Sequence, residues 1–178
     1  SSASHRFLWR FERRTYSRSS AAYANAHASV LLVQSVQAAD WSVIDSLYDY
    51  AHEIRPNKLV DLEQLVRVGA RYRFRMLANP TVTRAGKRYG LMREDEQLAW
   101  MSRQGERHGF AILGCVRGTD QRMQVRQGRT GNCITVHTAL FDGMLQAVSA
   151  ERLRQGVLNG FGHAKALGLG LLSLATIT

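Results

Sequence analysis

Between Gly160 and Gly170 the chain reads Gly-Phe-Gly-His-Ala-Lys-Ala-Leu-Gly-Leu-Gly. Gly160, Gly162, Gly168 and Gly170 have no side chain, so their backbone N–H groups can approach an anion closely, and Lys165 adds a positive charge among them. His163 stands beside it. That is the chemistry of phosphate binding, but not of a known nucleotide loop. The G-x-x-x-x-G-K-[ST] spacing of a P-loop is absent. A dinucleotide fingerprint would open a βαβ unit, whereas this segment leads into what reads as a final strand. A tight helix-to-strand turn would use the same glycines.

A second group of residues points to a polyanion. The chain carries 24 Lys and Arg against 14 Asp and Glu, a net charge of +10. Ten of the cations and only five of the acids lie between Arg84 and Arg129, so half of the excess comes from that quarter of the chain. A positive field of this kind attracts nucleic acid, because each neutralised phosphate releases counterions. A membrane surface is the rival partner by charge alone. Metal chemistry is not expected. Cys115 and Cys133 are the only cysteines and form no C-x-x-C pair, and the six histidines lack metal-ligand spacing. Nor is a cofactor expected. No apolar run approaches the roughly 18 residues that cross a bilayer, and no secretory signal stands at the start, so a soluble, reduced, cytoplasmic protein is expected.

These residues must be held by elements, and the pattern predicts them in order. Residues 6–12 read as a strand. Residues 13–28, with Arg13, Arg14 and Arg18, read as a basic loop. Residues 29–36 are a short apolar run, expected to be a buried strand. Asp40 is expected to cap a helix with Trp41, Ile44, Tyr48 and Ala51 on one face. Residues 71–76 alternate strictly, placing Tyr72, Phe74 and Met76 on one face and Arg71, Arg73 and Arg75 on the other. The arginine face is either solvated or faces phosphate, since three adjacent cations repel one another without a nearby anion. Asn79-Pro80 breaks this strand and is taken as a boundary between domains 1–78 and 79–178. A basic loop follows, then a helix over about 94–104 with Glu94, Asp95 and Glu96 in its first turn. Strands at 110–116 and 121–125, a glycine-rich turn, a hairpin folding across Asp142-Gly143, a helix over 149–159 and a last strand complete the chain. The second half therefore fits a βαββαβ ferredoxin-like unit, and the first half fits the same unit without its first strand and helix.

The string GFGHAKALGLGLLSL resembles the glycine-rich loop that closes CRISPR-associated RNA-processing proteins of the RAMP superfamily. FLWRFE (7–12), VQSVQAADWSVID (33–45), YRFRMLANP (72–80), GKRYGL (86–91), EQLAW (96–100) and TVHTALFDGML (135–145) resemble, in the same order, the CasE family of the type I-E Cascade complex. The resemblance implies an α+β fold of two tandem ferredoxin-like (RRM-like) domains. It implies metal-independent cleavage of the CRISPR repeat RNA at the base of its stem-loop by the 2′-hydroxyl, with the enzyme staying on the crRNA 3′ hairpin beside other Cascade subunits. In the family a histidine and a tyrosine act in the first strand-and-helix region, which would precede Ser1. No Tyr-x-x-His is present, so no catalytic residue is assigned. A non-catalytic stem-loop-binding subunit is the alternative. The RNA contacts that the resemblance implies are Arg84, Lys87 and Arg88 on the basic loop, Arg103 and Arg107 on the helix, and Arg126 and Arg129 on the hairpin. His163 and Lys165 join them on the glycine-rich loop.

Overall fold

Alternation of apolar and basic side chains makes residues 71–76 a strand with one face for a core and one for the outside. In a computed structural model, which describes residues 7–13, 29–45, 51, 53–126, 131 and 133–177, that strand is realised as expected. The described elements are β1 (Phe7–Arg13), β2 (Ser29–Ser35), the helical turns α1 (Ser42–Asp45) and α2 (Leu62–Leu65), β3 (Arg71–Ala78), β4 (Thr81–Arg84), β5 (Lys87–Gly90), α3 (Glu94–His108), β6 (Phe110–Arg126), β7 (Cys133–Ala147), α4 (Ala150–Asn159) and β8 (Leu172–Thr176).

β3 lies inside a four-stranded antiparallel sheet in the order β6-β7-β3-β8. Together with α3 and α4 this is one complete βαββαβ ferredoxin-like unit that begins at β3. The boundary expected after Ala78 is therefore corrected: the strand before Asn79-Pro80 opens the C-terminal unit instead of closing the N-terminal one. Pro80 does end β3, but a strand end looks the same within a unit as between two. The segment expected as a basic loop is itself a two-stranded ribbon, β4–β5. Ala85 and Gly86 at its turn both have positive φ, 47° and 74°, the backbone that a two-residue hairpin needs.

Tyr72, Phe74, Met76 and Ala78 of β3 and Ala139, Phe141 and Leu145 of β7 form the sheet's buried face, packed under Trp100 and Met101 of α3 and Leu153 and Val157 of α4. Each such large apolar side chain contributes about 1.5–3 kcal/mol by leaving water. α3 runs to His108, a turn further than its sequence pattern predicts, and stops at Gly109 in the left-handed conformation.

The hairpin expected across Asp142-Gly143 is not formed. Both residues sit mid-strand in β7, opposite Arg75 and Phe74 of β3. Two neighbours decide this. The Arg75 guanidinium grips Asp142 with two bonds, Nε to Oδ1 at 2.7 Å and Nη2 to Oδ2 at 3.1 Å. On the other side, a Cβ at Gly143 would collide with the Gly114 carbonyl, where β6 bulges. The same pairing shows that the arginine face of β3 draws one counterion from the chain itself.

β2 is also not the buried strand expected. It pairs only with β1 among the described strands, and Leu31 and Leu32 are 53% and 38% exposed. The ribbon is anchored through β1. Leu8 is buried, and Arg10, 3% exposed, donates to the Arg75 and Leu171 carbonyls, to Ser173 Oγ and to Glu12. Of the helix expected after Asp40, α1 is described and Tyr48 lies outside the described residues.

Candidate nucleic-acid interface

The glycine-rich loop joins α4 to β8. Phe161 is its anchor: fully buried, with its ring edge-on to His108 at 4.7 Å and to Phe110 at 5.9 Å. All four glycines have positive φ, between 69° and 85°. The space that a Cβ would take is already filled. At Gly160 it is filled by Leu8, at Gly162 by Trp100, at Gly168 by Trp9, and at Gly170 by the Phe161 carbonyl. Three of their N–H groups are also used internally: Gly160 donates to the Gly156 carbonyl at 2.8 Å, Gly168 to Lys165 at 3.1 Å and Gly170 to Leu77 at 2.7 Å. The expectation that glycine N–H groups cradle an anion is corrected for these three. Glycine is needed here so that β1, α3 and the loop's own backbone can touch.

The loop exposes His163 and leaves Lys165 half-buried, on either side of Ala164, which is itself held in the left-handed conformation at φ 61°. The His163 imidazole is held below its ordinary pKa, first by partial burial and then by the positive charges of Arg88, Lys165 and Arg107. Three cations from β5, from the end of α3 and from the loop thus act on one ring. His108 is depressed in the same way, by burial, by Arg107 and by Lys165. Arg88, Arg107, His163 and Lys165, all named from sequence, therefore converge. His108 joins them; its place at the end of an amphipathic helix was the only signal for it. Like charges held this close repel one another and favour binding of an anion.

Two further candidates lie in a neighbouring groove. Arg84 and Arg103 line a groove of about 400 Å³ between the β4–β5 ribbon and α3, facing Asp95 and Glu96. Cross-strand pairing puts Arg84 with Lys87 and Thr83 with Arg88, so Arg84 and Arg88 lie on opposite faces of the ribbon. Lys87 is exposed beside the turn. Arg126 ends β6 opposite Cys133, but its side chain, like all of Arg129, lies outside what is described.

The CRISPR associated protein family matches residues 1–176. The CRISPR-associated endoribonuclease Cse3 of Thermus thermophilus is 34% identical over 182 residues, covering 96% of this chain and 80% of that protein. The CRISPR system Cascade subunit CasE of Escherichia coli is 32% identical over 133 residues, covering 67% of this chain and 65% of that protein. The solved structure of Cse3 bound to a 19-nucleotide RNA superposes with a TM-score of 0.79 at 34% identity, over 96% of this chain and 80% of that one.

Proposed function

Because the chain belongs to the CRISPR-associated protein family, we propose that it binds the stem-loop of a CRISPR repeat RNA, cleaves the transcript at the base of that stem and stays on the 3′ hairpin as a Cascade subunit. The observation that carries this reading is that the positive charges of Arg88, Arg107 and Lys165, from β5, α3 and the glycine-rich loop, all act on the His163 imidazole. Such a cluster neutralises the phosphates of a folded RNA end, and the repulsion among its cations is relieved when they do so. Arg126, which ends β6, and Arg129, which follows it in sequence, extend the same role to the stem, entering where an A-form groove opens at a helix end.

The reaction is metal-independent in this reading. The 2′-oxygen attacks the adjacent phosphorus, the bond to the 5′-oxygen breaks, and the products are a cyclic phosphate and a 5′-hydroxyl. One group removes the proton from the 2′-hydroxyl and another supplies one to the leaving oxygen. The cationic cluster orients the phosphate and retains the product. No residue described above is given the acid or base role. Among the described residues no helix is long and apolar enough to cross a membrane. A cytoplasmic location and contact with further Cascade subunits complete the proposal.

The test is incubation of the protein with end-labelled repeat RNA in EDTA. Cleavage at the stem base with a cyclic phosphate terminus is expected. Tight binding without cleavage would leave the non-catalytic subunit; absence of stem-loop binding would overturn both.

A further inference from the structure

At one end of the sheet three segments leave it side by side. β3 ends at Ala78, opposite Ala139, while β6 and β7 run on as a two-stranded arm, from Gln121 opposite Thr138 to Arg126 opposite Cys133. The β4–β5 ribbon follows β3 directly, and the glycine-rich loop is tied to the same strand end by the Gly170 N–H on the Leu77 carbonyl. The charge of Arg88 links ribbon to loop through His163. His137 of β7 links ribbon to arm. A Cβ at Gly90 would meet the His137 Cδ2 at 3.4 Å and its Cβ at 3.7 Å, so the imidazole rests on the bare backbone of that glycine. Arg88 is two positions before Gly90 in β5 and so lies on the same face. Arg122 is the direct partner of His137 in β6 and is exposed. Directly opposed side chains share a face, with Cβ atoms about 4.5–5.5 Å apart.

Among the described residues Arg88 and Arg122 enter no ion pair, and neither ring nitrogen of His137 has a hydrogen-bond partner or is sealed from solvent. Carboxylates are scarce around them. Asp120 is the one acid between residues 118 and 138, and it stands one register step nearer the sheet, opposite Ala139. Glu94, at the start of α3, is taken by Arg117 at 3.7 Å. The same stretch carries Arg122, Arg126 and Arg129, which with Arg88 sets four cations against that one acid. We propose that His137 and Arg122 form, with Arg88, a phosphodiester-binding site at the root of the β6–β7 arm, and that this site carries the RNA backbone from the glycine-rich loop onto the arm. The inference rests on the RNA-binding reading above and adds two contacts to it. Arg88 and Arg122 neutralise the phosphate from either side of the ring. The imidazole keeps an N–H donor in either protonation state and gives it to a phosphate oxygen.

The experiment measures the affinity of the full chain for the unmodified repeat hairpin and for a series in which one phosphate at a time is a neutral methylphosphonate. Arg122→Ala and His137→Leu are each expected to weaken binding of the unmodified hairpin by roughly tenfold, and Arg122→Ala should also lower the slope of log K against log salt by about one. Both variants should become indifferent, within about twofold, to the same single neutral linkage, while Lys165→Ala stays sensitive there. His137→Gln keeps an N–H donor and should recover part of what His137→Leu loses. A side chain that only filled space over Gly90 would give the reverse order, because leucine packs there without a polar group to desolvate. Undiminished affinity in Arg122→Ala, or a full penalty at every neutral linkage in both variants, would overturn the inference. Failure of the unmodified chain to bind the hairpin would instead overturn the proposed function.

Discussion

The indole of Trp9 fills the space that a side chain at Gly168 would need, with its Cζ3 atom 2.6 Å from the position of a Cβ there. Gly168 also has a φ of 79°. The first strand and the glycine-rich loop, separated by more than 150 positions, are therefore built as one contact. Gly168→Ala should cost roughly 2–4 kcal/mol, from left-handed backbone and overpacking together. Gly114→Ala is the control: nothing lies within 4 Å of its missing Cβ, and a change within about 1 kcal/mol is expected. Urea denaturation of both variants checks the difference.

Arg10 holds the β1–β2 ribbon to the sheet. Its Nη1 reaches the carbonyls of Arg75 at 3.1 Å and Leu171 at 3.0 Å, while Nη2 reaches Glu12 at 2.6 Å and Ser173 Oγ at 2.9 Å. Arg10→Met should cost about 3 kcal/mol, because buried acceptors lose their donor. Arg10→Lys should not restore it, since an ammonium cannot fork to the same partners. Arg75→Ala makes the opposite case. Its pair with Asp142 is 47% and 33% exposed, so a double-mutant cycle should return only about 0.2–1 kcal/mol.

His163 should make RNA binding depend on pH. Burial and the charges of Arg88, Lys165 and Arg107 depress its pKa, so it is neutral in the free protein at neutral pH. The folded pKa lies below the unfolded one, so the protein's stability from this group is present above about pH 6.5 and falls as pH drops through the folded value. A bound phosphate reverses the field and raises the pKa, so binding takes up a proton. Hairpin affinity should rise as pH falls from about 8 to about 6, and His163→Gln should flatten that rise. Titrations by fluorescence anisotropy across this range check it; an identical pH dependence in the variant would remove His163 from the interface.

Lys165 and Arg88 should act through phosphates. Replacing either by Ala should weaken hairpin binding and reduce the salt slope by about one without changing the preference among hairpin sequences. A variant that lost sequence preference with the slope unchanged would mean base reading instead.

Much of the architecture was legible because it is local. The alternation in residues 71–76 requires one buried and one basic face, and that is what β3 shows. Asp142-Gly143 misled for the opposite reason. Its dipeptide preference is for a turn, but β7 is paired on both sides, and ladder bonds and the Arg75 grip outweigh a local propensity. The strand before Pro80 was legible as a strand, yet which unit it joins depends on edges formed by residues more than 60 positions away.

The sequence by itself determined the periodicities, the excess of positive charge and the glycines at fixed spacing, since these depend only on which residues follow one another. Tertiary structure alone decided that Leu8, Trp9 and Trp100 fill the places where loop glycines lack a side chain, and that the N–H groups of Gly160, Gly168 and Gly170 bond within the protein instead of to an anion. It alone sorted the cations, gathering Arg88, Arg107 and Lys165 around His163 and setting Arg84 and Arg103 against carboxylates. The reason is that a charge or a missing side chain acts on whatever lies within a few ångströms, and those neighbours are brought there by strand pairing and helix packing across the whole chain.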